Sequence, residues 1–435
     1  MKQVWKRLMA GVLAVMMIIC MVPELTTKAA SGLDTQMVFQ CGANVTGILD
    51  ITGTLTLTGT GSTFGADTWL SRNNLWYDDE NDIEYQYRIN RVVIGDGITS
   101  IGDSMFVNCT KLNSVTIGKD VETIGKWSFQ SCVMLKSIDI PGTVQKIDKG
   151  AFMESGLRTV TLHTGLQYIM SGAFEDTALT NVTIPENTVN VETAAFGESV
   201  KNITISKGVA VIQSYAFPAE DAYVDVLADD VVISAWAFGK GTTLKGKAGS
   251  AADRFVKDAD EGYYRFEARP ITVVFDANKG SCQVQKKSAT PGEYYGTLPV
   301  PVRKKYTFAG WYTSKTGGAK VTNLSKVGND NHTLYAHWKK VSVAKAKKPT
   351  VKSTTKKKAK VTIKKVSGAA GYQIRYATKK SMKGAKVKAT TKTSETLTGL
   401  KSKKKYYVQV RAFKKDSTGK RVYGSWSTAK TVKIK

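Results

Sequence analysis

Residues 160–174, VTLHTGLQYIMSGAF, contain the frame that decides the fold: a β-branched triplet (Val160-Thr161-Leu162), an apolar residue nine positions on (Ile169) and a phenylalanine five further (Phe174). The frame recurs. Triplets begin at Val92, Val115, Ile138, Val160, Val182, Ile203 and Val224. Nine later come Ile101, Ile124, Ile147, Ile169, Val191, Ile212 and Ile233, and five after those Phe106, Phe129, Phe152, Phe174, Phe196, Phe217 and Phe238. The intervals of nine and five never change, while the step from each Phe to the next triplet shortens from nine to eight to seven residues. One fixed arc and one elastic arc describe a coil turning over a constant core, which is a solenoid of about seven turns. Side chains alternate along a strand, so the outer triplet residues point inward and the middle ones form an exposed ladder: Val93, Thr116, Asp139, Thr161, Thr183, Thr204 and Asp225.

With Ile-Gly at Ile101-Gly102 and Ile124-Gly125, Ala-Phe from Ala151-Phe152 to Ala237-Phe238, and Cys109 and Cys132 three residues after a Phe, these turns resemble the BspA-type leucine-rich repeats of bacterial surface proteins over residues 89–240. Asp221 stands where earlier turns have Leu112, Leu135, Leu157, Leu179 or Val200, so the coil is expected to end there. Cys109 and Cys132 occupy one place in adjacent turns, about 5 Å apart with parallel side chains, and are expected as two buried thiols. A coil needs covers at both ends. Residues 31–88 are read as the first, with a hairpin within residues 41–61 packed down by Trp69, Trp76 and Tyr77. Residues 241–270 are read as the second, with a helix capped by Ser250.

Beyond the coil the rhythm changes twice. Residues 271–338 carry aromatic and β-branched runs, including Thr272-Val273-Val274-Phe275, Tyr306-Thr307-Phe308-Ala309-Gly310-Trp311 and Leu334-Tyr335-Ala336-His337-Trp338. They resemble the Listeria-Bacteroides repeat, the internalin-type B repeat, which implies a β-grasp-like fold and a spacer or partner-contact role; Trp311, Trp338 and His337 are read as structural. Residues 339–348 read as a linker. In residues 349–435, Tyr372-x-Ile374-x-Tyr376, Leu400 with Tyr406, and Gly424-Ser425-Trp426-Ser427 resemble a fibronectin type III sandwich, Leu400 and Tyr406 standing where that fold has its tyrosine corner. The fold class is therefore mainly β and multidomain: leucine-rich-repeat solenoid, β-grasp-like module, β-sandwich.

The 435 residues carry 63 Lys and Arg against 36 Asp and Glu, a formal charge of +27, which as one number suggests a polyanion binder. The charge is local. Residues 339–435 hold 31 basic and two acidic residues, Glu395 and Asp416, leaving 32 basic and 34 acidic elsewhere. Lys356, Lys357, Lys358, Lys403, Lys404 and Lys405 form its densest clusters and are the candidate contacts to anionic cell-wall polymer. Nucleic acid is disfavoured, because export removes the usual target and no aromatic stacking platform accompanies the lysines.

Residues 1–30 read as a signal peptide: Lys2, Lys6 and Arg7, an apolar run over residues 8–22, and small residues before a cut after Ala29 or Ala30. The run is short for a membrane span, and Cys20 lacks a lipobox before it. The processed protein is expected outside the cell, free or loosely wall-associated, without a transmembrane segment. With three histidines, no CxxC pair and no EF-hand spacing in the acidic run Asp78, Asp79, Glu80, Asp82 and Glu84, no cofactor, metal or catalytic residue is expected. His163 reads as a surface histidine. Asp139 and Asp225, four turns or roughly 19 Å apart, are too distant to act as an acid/base pair. The sequence points to non-catalytic adhesion or ligand binding at a bacterial surface through Thr116, Asp139, Thr161, Thr183, Thr204 and Asp225, the ligand being an extracellular protein or glycan. The rival reading is an accessory or targeting protein for extracellular polysaccharide, or a truncated relative of a modular secreted hydrolase.

Overall fold

The computed structural model describes residues 36–65, 76–78 and 83–435. The leader, Trp69 and the acidic residues Asp79, Glu80 and Asp82 lie outside the described residues. Two compact units result: one runs up to Lys245 and takes in Ser250–Phe266, the other comprises Gly246–Gly249 and Glu267–Lys435.

In the first unit the coil forms in the predicted frame. Every triplet from Arg91–Ile94 to Tyr223–Val226 lies in a strand, save that Ile117 falls just past the end of Ser114–Thr116, and the second apolar position of each turn lies in another column, eight parallel strands wide. Ile101, Ile124, Ile147, Ile169, Val191 and Ile212 are fully buried there. At the third side of each turn the phenylalanine N–H donates to the carbonyl of the residue preceding the next phenylalanine, Phe152 to Ala173 and Phe174 to Ala195 at 2.8 Å. The rings stack in one column with centroids 4.9–5.8 Å apart and planes 3–24° off parallel, all seven at most 2% exposed. A near-parallel arrangement at such centroid distances falls within the range of stacked aromatic pairs. The rise of the coil imposes it, because each ring sits one strand spacing above the last.

Both ends carry the expected hairpin and helix and add to them. The opening hairpin is a three-stranded meander, Met37–Gly42, Val45–Leu49 and Thr54–Gly59, whose last strand pairs parallel with Arg91–Ile94, Leu55 opposite Val92 and Leu57 opposite Ile94. The cover is thus also the first rung. Trp76 closes the ring column 6.1 Å above Phe106 and donates its indole N–H to Met105 O at 2.6 Å. At the far end the coil does not stop at Asp221. Asp221 faces solvent, Ala219 and Ala222 fill the interior, and Thr243–Gly246 adds another parallel strand, Leu244 opposite Val224. The helix Ala251–Asp258 then lies over Phe238, Phe255 meeting that ring edge-on at 6.0 Å. Ser250 has the extended backbone of an N-cap, but its side chain makes no capping bond and its buried hydroxyl is unpaired; Asp253 in the first turn supplies the negative charge that the helix start favours. Cys109 and Cys132 are free, buried thiols, the Cys132 Sγ lying 3.2 Å from Phe106 O, and burial pushes the Cys132 pKa up to about 12.

In the second unit, Ile271–Asp276 pairs parallel with His332–Lys340 at the centre of a mixed five-stranded sheet. Trp311 is 1% exposed and donates to Pro299 O, while Trp338 packs on the same core and donates to Ala277 O, so both indoles are committed to structure. His337 stacks on Tyr312 at 3.9 Å. The sandwich that follows has three strands in one sheet, Thr350–Ser353, Ala359–Thr362 and Ser394–Leu397, facing a larger one built on Gly371–Ala377 and Lys405–Lys415. Tyr406 Oη accepts the Lys401 N–H at 3.1 Å, the bond of a tyrosine corner. The segment read as a linker is partly structural, since Val343 and Ala346 pack into the sandwich core.

Asp416, one of the two acids of the basic module, joins the two modules. Only 6% exposed, it accepts the Lys305 N–H at 2.7 Å, while Ser417 bonds the backbone of Arg303 and Tyr306. Burial alone would raise its pKa, but the Thr418 hydroxyl and the amides of Lys305, Thr418 and Lys420 outweigh burial and hold the carboxyl below its ordinary range. A depressed carboxyl contributes at neutral pH and loses its contribution as pH falls through the folded-state pKa. Acidification well below about 3.9, the ordinary aspartate value, is therefore expected to loosen this joint, as is Asp416→Ala at neutral pH. Amide exchange at Lys305 and Ser417 measures it; protection unchanged in the variant refutes the assignment.

Candidate functional site

The predicted ladder residues lie on one strand face, alternating with buried or, at Val115, Ile117, Val160 and Leu162, half-buried neighbours as the pleat requires. Thr116, Asp139, Thr161 and Thr183 are exposed, and Thr204 and Asp225 half-buried. Not all are hydrogen-bonded rung to rung. The pairing runs Thr56–Val93–Thr116, then Asp139–Thr161, then Thr183–Thr204–Asp225–Lys245, so the face consists of three paired groups. Two features were not legible from spacing. His163 Nε2 lies 2.8 Å from Asp139 Oδ1 across adjacent turns, an exposed pair beside Thr161. Lys245 extends the ladder past Asp225 with the opposite charge. The face thus offers hydroxyls, carboxylates, one imidazole and one ammonium in a row with a pitch of about 4.8 Å. That equipment suits hydrogen bonding to an extended ligand; no nucleophile is held by the His163–Asp139 pair.

The second candidate surface is one end of the sandwich. Lys357 and Lys403 both take positive φ in turns that the chain folds together: Leu400 N donates to Lys357 O at 3.0 Å, and Lys403 N and Lys357 N donate to Ile434 O and Lys435 O. Lys356, Lys357, Lys358, Lys403, Lys404 and Lys405 therefore share one pole and are all exposed. A third cluster joins them. Ala377 pairs with Tyr407, so the following turn brings Lys379, Lys380 and Lys383 to the same end. Neither acid of the module neutralises this pole: Glu395 is bound to Lys388 at 2.8 Å, and Asp416 lies in the modular joint at the other end of strand Lys405–Lys415. That strand is about 33 Å long at ~3.3 Å per residue.

Among the described residues no group of three or more His, Cys, Asp or Glu is placed to hold a metal, and no helix is long and apolar enough to cross a membrane.

Comparison with known proteins identifies the modules. Residues 81–201 match the BspA type Leucine rich repeat region in six copies, residues 272–337 the Listeria-Bacteroides repeat domain, and residues 344–424 the Fibronectin type III domain. A leucine-rich repeat protein from Eubacterium ventriosum is similar at 16% identity over 56% of this chain and 87% of its own, with a TM-score of 0.27. A leucine rich cell surface protein from Faecalibacterium prausnitzii is similar at 22% identity over 48% of this chain and 76% of its own, TM-score 0.25. The sixth fibronectin type III domain of a human fibronectin type III domain containing protein is similar at 16% identity over 22% of this chain and 89% of its own, TM-score 0.18. No curated protein matches the chain.

Proposed function

We propose that this chain, which carries BspA-type leucine-rich repeats, a Listeria-Bacteroides repeat and a fibronectin type III domain in that order, is an exported, non-catalytic adhesion or ligand-binding protein of a bacterial surface. The three modules are of the interaction kind, and none belongs to an enzyme family. The observation that carries the reading is the strand face, a solvent-facing row of Thr116, Asp139, Thr161, Thr183, Thr204 and Asp225 on a rigid scaffold. Parallel strands set these side chains without loop entropy, so an extended protein or glycan ligand meets a preordered row. The basic pole supports a second role, holding the exported protein on anionic wall polymer.

Replacing Thr161 and Thr183 together by arginine places two long cations at the middle of the row while leaving the interior untouched. Ligand capture from a host-protein panel and a glycan array is expected to be lost with the melting temperature unchanged. Capture that survives the double change moves the site off this face.

A further inference from the structure

Two residues before each phenylalanine the coil turns a left-handed corner, with positive φ at Ser104, Trp127, Ala194, Tyr215 and Trp236 and with Gly150 and Gly172 in the middle turns. Such a corner favours glycine, and a bulky side chain there is a genuine outlier. Trp127, Tyr215 and Trp236 nevertheless stand there, and in the last two turns the rings face water, Tyr215 54% and Trp236 45% exposed. Aromatic display at a strained corner is a reason to look for what the rings meet.

Trp236 forms a wall of a cavity of about 520 Å³ between the last turn and the helix Ala251–Asp258. Tyr263 stands edge-on to it at 5.2 Å, and Phe255 and Tyr264 line the interior. The mouth carries Asp230, Asp258 and Asp260 against a single base, Arg254. All three aspartates are exposed, and none of them is in an ion pair among the described residues. Ring faces attract a cation through their quadrupole, and an excess of carboxylate adds direct charge attraction. A sugar would use the rings equally and donate hydroxyls to the carboxylates, but a neutral ligand leaves the net negative charge uncompensated, whereas a cation offsets it. We infer that this pocket receives the basic side chain, arginine or lysine, of a protein ligand. It is separate from the strand face and stands or falls independently of it.

The test uses the full chain and a fluorescein-labelled hexa-arginine peptide, read by fluorescence anisotropy at moderate salt. Trp236→Gly installs the residue the corner favours, so the fold is expected to melt as before while peptide affinity falls about tenfold. Asp258→Asn with Asp260→Asn, changes at exposed positions, is expected to weaken binding to a similar extent. Equal affinity in either variant and the parent overturns the inference. So does displacement of the peptide by neutral cellohexaose in a manner that depends on Trp236.

Discussion

Phe174→Ala is expected to destabilise the coil by on the order of 3–5 kcal/mol, a large share of the 5–15 kcal/mol that holds a typical domain. Phe174 is fully buried in the middle of the ring column, 5.3 Å from Phe152 and 5.2 Å from Phe196. Its backbone also carries an isolated parallel bridge to Phe196. Removing the ring leaves a cavity walled by two flat neighbours that cannot close on each other, since the strand columns on the other two sides of the turn fix the rise. The cost should spread, because in a stacked array each turn is stabilised by its neighbours. Tyr168→Ala, at an exposed position of the same turn, is the control and should cost little. Thermal denaturation of the two variants decides it. A Phe174→Ala chain that melts with the parent would falsify the account of the column as the core.

The coil was legible because its core makes contact at constant intervals, and a constant interval survives in the sequence even where residue types drift. Where the interior was filled another way, the sequence misled. At Asp221 the missing leucine is replaced by Ala219 and Ala222, small residues that leave no hydrophobic signature. The strand Thr243–Gly246 was invisible for the same reason: only Leu244 is buried and apolar, and its partner positions hold Thr243, Lys245 and Gly246. Tertiary pairings between distant positions were also out of reach. His163 and Asp139 belong to different turns, Lys305 and Asp416 to different modules, and the aromatic pocket needs the helix Ala251–Asp258 laid beside Trp236. One signal for that pocket was present: a large aromatic, Trp236, occupies the place that glycine holds in the turns of Phe152 and Phe174. Spacing fixes which residues share a column, whereas composition does not say which columns meet.

The basic module shows the difference in charge. Its excess of +29 was countable, but a count cannot say whether the lysines coat the sandwich or gather at one end. Strand register gathers three clusters at one pole and keeps both acids away from it. If the pole is the wall contact, position should matter more than total charge. Lys403, Lys404 and Lys405 changed together to glutamine are expected to weaken binding to purified anionic wall by ~3 kcal/mol, roughly a hundredfold, taking about 1 kcal/mol per basic residue at an anionic surface. Lys364, Lys365 and Lys392 lie at the opposite end, where Thr362 pairs with Ser394 and Ile363 N bonds Thr393 O, and their change to glutamine removes the same charge. That variant should lose several-fold less. Binding of the parent should vanish as salt approaches ~1 M, where the screening length falls to about 3 Å. Equal losses in the two variants would mean that bulk charge alone is sensed. Retention at high salt would remove the electrostatic account altogether, since a contact made by exposed lysines with no buried partner has nothing else to hold it.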